Sequence, residues 1–231
     1  MGKQKQKEAA QSKWKKVLFV IAAVLFVFIM VVSSMGMNWI TGIAPIKAGD
    51  QVVIDYTLYD TAGNPFMTSN EQLYKQQISS GSGILYTQQL TLIANQSLNQ
   101  AIYPVPVYIA SNGGSTEGFA LYNPEFNTIS RSVVDMRTGE KKKVNFTSGS
   151  AMSTIFSADD LQRVNVNMSE LSIGDSLVMG VSETPNATAS NTTEITYLRF
   201  GQVTRLTSAG AVVDFGYPYA EITVSSFTKQ Q

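Results

Sequence analysis

The stretch GDQVVIDYTLYDTAGNPFMTS (49–69) decides the fold. Val52, Ile54, Tyr56 and Leu58 recur at every second position, which is the period of a strand with one buried face. The Thr-Ala-Gly-Asn-Pro run (61–65) is a turn by composition, and Pro65-Phe66-Met67 begins a return strand. A sheet built outward from this hairpin is the natural reading. Further strands are predicted over 84–93, 103–110, 118–122, 141–146, 175–181, 194–206, 211–215 and 221–227. Helices are predicted at only two places. Over 127–136, Ile129, Val133 and Met136 form one apolar face that Gly139 closes, and 158–164 is the second. The tracts SSGSG (79–83) and SNGGS (111–115) read as loop tips.

On the N-terminal side the chain changes character. Lys3, Lys5, Lys7, Lys13, Lys15 and Lys16 stand beside a single acid, Glu8, so the formal net charge of zero hides 11 bases against 16 acids over 17–231. From Val17 to Met37 no charge occurs, and a helix of that length would reach roughly 30 Å, a hydrocarbon core's thickness. Trp14 and Trp39 flank the run, as indoles do at membrane interfaces, and the lysines precede it. The expected organisation is a cytoplasmic tail (1–16), a single transmembrane helix (17–37), a linker (38–47) and an extracytoplasmic body. Five N-x-S/T tripeptides, at Asn95, Asn145, Asn167, Asn186 and Asn191, agree with an exported body.

Composition removes several chemistries. With no Cys and no His, thiolate nucleophiles, Cys/His zinc sites, histidine bases and Ser-His-Asp triads are excluded by residue type. Beyond the tail the basic residues do not form the patch that a phosphate groove needs, which argues against nucleic acid as a partner. Asp159, Asp160 and Glu170 lack the spacing of a calcium loop, and Lys141–Lys143 read as a solvated strand edge. No metal and no cofactor is expected.

Three segments together resemble the FKBP-type peptidyl-prolyl isomerases, in the SlyD-like and archaeal form with an inserted flap. The hairpin 49–69 is similar to the family's opening strand and Gly turn. FNTISRSVVDMRTGEKKKVNF (126–146) looks like its central helix and Gly-Glu-Lys-Lys-x-Val strand, and 159–220 resembles its flap, ending in VVDFGYPYA. The resemblance implies an α+β fold, an antiparallel sheet wrapped on one helix. Its core would be 48–156 with a long insertion at 68–125, its flap 157–215 and its last strand 216–231. It also implies a pocket of Tyr56, Phe66, Phe126 and Ile129, to which Phe119, Tyr122, Met67 and Met152 could add. Each also reads as an ordinary core residue.

The implied activity is isomerisation of Xaa-Pro bonds, with chaperone action on unfolded or Pro-containing exported polypeptides. Such catalysis needs neither nucleophile nor metal. Rotation about the amide faces ~18–20 kcal/mol, and apolar binding that favours the twisted amide suffices to lower it. The sequence departs from the family at three points. Met67 stands where an Asp follows the pocket Phe, TSGSAMSTIF (147–156) lacks the usual tyrosine, and Tyr217 replaces a His. A binding module of degenerate FKBP type and a structural cell-envelope protein therefore stay open beside the enzyme.

Overall fold

The computed structural model describes residues 20–31, 44–109, 115–147, 152–182 and 196–230. Two compact units divide the chain, 1–44 and 45–231. In the first, residues 20–31 form helix α1 with exposed side chains. Among the described residues no helix is long and apolar enough to cross a membrane, which corrects the expected transmembrane helix over 17–37. The remainder of that run, the lysine tail 1–16, linker residues 38–43, and the acceptors Asn186 and Asn191 lie outside the described residues.

The second unit begins with β1 (Gln51–Tyr59), which is central to it. Val52, Ile54, Tyr56 and Leu58 are buried on one face, as the alternation predicts. Along its length β1 pairs antiparallel with β12 (Tyr219–Thr228), from Gln51↔Thr228 to Tyr59↔Tyr219. On the other edge it takes β4 (Leu90–Ile93) at one end and β2 (Pro65–Thr68) at the other. The turn between β1 and β2 is tied by the Asp60 carboxylate, which accepts from Asn64 N at 2.7 Å, while Gly63 adopts φ 82°.

Among the described residues twelve strands form one curled mixed sheet, which corrects the expected antiparallel sheet wrapped on a single helix. Two parallel contacts make the difference. The segment 68–125, where strands were expected but no helix before 127, supplies α2 (Glu71–Ser79), β3 (Leu85–Thr87), β4, β5 (Ile102–Ile109) and β6 (Ser115–Tyr122). Helix α2 lies between β2 and β3, so the two strands run parallel, with Met67↔Leu85 and Thr68↔Tyr86. Later β10 (Tyr197–Thr207) joins β6 in parallel through Leu198↔Phe119. Both additions extend the sheet.

Residues of the expected flap join this sheet while keeping a small core of their own. β8 (Ser153–Phe156), α4 (Ala158–Arg163), β9 (Ser176–Val181), β10 and β11 (Gly210–Asp214) surround Leu161, Leu177, Val203, Ala211, Val213 and Phe215. The larger core contains Ile54, Tyr56, Leu58, Val107, Phe119 and Ile222. Over it lies α3 (Asn123–Ser132), which begins four residues before the expected start. Pro124 loses nothing in the first turn, where its missing N–H has no helical partner, and Glu125 accepts from Tyr122 N at 2.9 Å. Its buried Phe126 and Ile129 face the core, and Val133 and Met136 continue that face beyond the helix end.

Gly210 shows how tightly the outer strands close. A Cβ there would lie 2.0 Å from the Phe156 carbonyl oxygen, where β11 pairs with β8. Gly210→Ala should therefore cost ~1–3 kcal/mol of stability by overpacking against backbone, measured by urea unfolding. At Gly83 a Cβ meets nothing within 4 Å, so Gly83→Ala should change stability far less.

Candidate functional site

A groove runs along the region where β2, the loop after α2, and the β9–β10 hairpin converge. It is formed by two adjoining cavities of about 340 Å³ and about 230 Å³, which share Phe66, Gly83, Ser176 and Phe200. The larger has apolar walls of Ile78, Ile84, Leu85, Tyr108 and Ile109. Polar groups help to line the smaller, where Asp60, Thr61, Gln202 and Asp214 join Tyr217.

Phe66 occupies the junction because β2 presents it on that face. Its ring packs 5.1 Å from Tyr217, 5.2 Å from Phe200 and 6.2 Å from Phe119. These spacings are those of attractive aromatic pairs, so the cluster is stiff as well as apolar. Exposed apolar side chains extend the surface, with Ile78 47% and Tyr108 42% accessible.

Behind the rings lies a buried ion pair that the sequence reading missed. Arg199, on β10, and Glu125, at the start of α3, have no accessible side-chain surface. Arg199 Nη1 donates to Glu125 Oε2 at 2.9 Å and Nη2 to Oε1 at 2.6 Å, a bidentate pair. Nε and Nη2 also donate to Phe215 O, at 2.9 and 2.6 Å, and Nη1 to Ala120 O at 2.7 Å. The guanidinium carbon lies 4.4 Å from the Tyr122 ring centre and 4.6 Å from that of Tyr217. Burial opposes the guanidinium charge, yet the Glu125 carboxylate more than offsets this and the Arg199 pKa is raised. One signal was available in the sequence. Arg199 is in phase with Gly201 and Val203, the inward positions of β10, where a charge requires a partner.

The eight sequence-derived candidates separate by location. Only Phe66 lines the groove, and Phe119 is the fully buried ring behind it. Tyr56 is 1% accessible, and its hydroxyl meets Thr87 Oγ1 at 3.3 Å inside the core. Burial raises the pKa of that phenol, and likewise of Tyr217, so both stay neutral. Phe126 stacks on Tyr103 at 4.7 Å, while Ile129 and Met67 are fully buried. Tyr122 and Met152 flank Arg199 instead, with Met152 Sδ 3.9 Å from Nη2. The residues missed were Phe200, Tyr108 and Ile78, which belong to elements distant in sequence. No protein-family model and no curated protein matches the chain.

The pair can be tested apart from any activity. Arg199→Met leaves a buried carboxylate without its partner and should cost ~3–5 kcal/mol in urea unfolding. Adding Glu125→Gln removes the stranded charge while keeping an acceptor for Tyr122 N, so the double variant should be more stable than Arg199→Met alone. Additive losses would show the two groups to be uncoupled.

Proposed function

We propose that the groove across Phe66 binds apolar, proline-containing segments of other polypeptides, and that the protein acts on them as a peptidyl-prolyl isomerase and holdase. The observation that carries this reading is the position of Phe66. It sits where both cavities meet, backed by Phe119, Phe200 and Tyr217. A proline ring seated against such rings would lose its water, and the preceding amide would be held where resonance is worth less. Binding energy then favours the twisted amide over the planar one, which is all that the reaction requires.

A second reading is a binding module that does not isomerise. It is favoured by the disposition of the phenols: the Tyr217 hydroxyl donates to Phe200 O at 3.1 Å, and that of Tyr56 is enclosed with Thr87. Neither is directed at a ligand amide.

A protease-coupled assay of an Ala-Leu-Pro-Phe peptide with the full-length protein distinguishes the two, alongside the affinity of the same peptide measured directly. Phe66→Ala should weaken binding and lower kcat/KM about tenfold, since ~1.4 kcal/mol of lost transition-state contact is a factor of ten. Phe66-dependent binding without rate enhancement by the wild type would establish the second reading. Absence of binding, or equal behaviour of a folded Phe66→Ala protein, would refute both.

A further inference from the structure

We propose that the groove is selective for apolar segments that carry a Lys or Arg beside the hydrophobic side chain. This inference rests on the peptide-binding reading above and specifies its ligand. The two cavities differ in character on either side of Phe66. The larger is walled by aliphatic and aromatic side chains, whereas the smaller contains two carboxylates, Asp60 and Asp214, and no Lys or Arg.

Both carboxylates are held by neighbouring N–H groups. Asp60 Oδ1 accepts from Asn64 N at 2.7 Å and Oδ2 from Asn64 Nδ2 at 3.3 Å, and Asp214 Oδ1 accepts from Gly216 N at 2.9 Å; with about four lone-pair sites per carboxylate, each keeps acceptor capacity for a cation. Thr61 donates to Gln202 Oε1, and Gln202 Nε2 donates to Gly174 O at 3.3 Å. This chain joins the β1–β2 turn to the β9–β10 hairpin. The polar cavity is thereby held in shape without a cation of its own.

Charge complementarity names the occupant. An extended segment advances ~3.3 Å per residue, so an apolar side chain over Phe66 and a basic one a residue or two away can reach the two cavities together. An acidic residue there would face Asp60 and Asp214 and be disfavoured.

The test uses full-length protein and three fluorescent peptides with one Ala-Leu-Pro-Phe core, flanked by Lys, by Ser or by Glu. Anisotropy titrations at low salt should rank them Lys, Ser, Glu, with Lys about three- to tenfold tighter than Ser. Raising the salt to about 0.5 M should compress that ratio towards one, a check that needs no variant. The double variant Asp60→Asn, Asp214→Asn keeps an acceptor at each backbone contact and should bring the Lys-to-Ser ratio close to one. Measurable binding of all three peptides with equal affinity would overturn the selectivity and leave the groove reading intact. Binding of none would overturn both.

Discussion

The aromatic floor of the groove rests on the buried ion pair between Arg199 and Glu125, which lies against Phe119 and Tyr217. A guanidinium has five N–H groups, and all five are used here: two on Glu125, two on Phe215 O and one on Ala120 O. Those acceptors belong to the start of α3, the end of β6 and the residue after β11. One side chain on β10 therefore fixes three separate parts of the chain. Burying two charges costs several kcal/mol each, and a well-packed apolar replacement could match the pair in stability. Its distinctive contribution is direction: the ladders of β10 with β9 and β11 set the strand's register, and the fork of five directed bonds ties that strand to α3, β6 and Phe215 in one arrangement.

That arrangement determines the shape of the candidate site. Tyr217 touches Arg199 on one side and Phe66 on the other, and Phe119 lies against both. The aromatic floor is thus supported from behind by a charge that never reaches solvent. The phenol of Tyr217 is committed to Phe200 O, so the floor presents ring surface rather than hydroxyls. The rings themselves offer binding, desolvation and shape, and the ionisable groups lining the groove beside them are the carboxylates of Asp60 and Asp214.

Local pattern was legible where one face of an element is buried and the other wet. β1 follows its alternation almost residue by residue; Ile129, Val133 and Met136 are buried as read, but only Ile129 lies on α3, which ends at Ser132 rather than at the expected 136. Helix α2 was not legible, because it buries no side chain and so has no apolar stripe. It is held by the Asn70 cap, which accepts from Gln72 N and Leu73 N, and by the exposed Glu71–Lys75 pair. Missing it meant missing the parallel β2–β3 pair, and with it the mixed sheet. Periodicity also says nothing about which distant strands meet, so although Arg199 sits at an inward position of β10 that asks for a partner, neither the contact of β10 with β6 nor Glu125 as that partner had a local signature.

The hairpin residues Phe66 and Met67, read together from the sequence as pocket residues, part company in the structure. Phe66 and Met67 are adjacent on β2, so their side chains leave opposite faces. Met67 enters the core with Tyr56 and Leu58, while Phe66 turns towards the groove. The position after Phe66, where an acid would be expected in an FKBP-type pocket, is therefore an inward position here, and an Asp at that point would be a buried charge. The carboxylates of the groove come instead from the turn that follows β1 and from the end of β11, where backbone N–H groups hold them. β2 turns a single side chain, Phe66, towards the groove, so the carboxylates that line it are contributed from outside that strand, by a turn and a strand end.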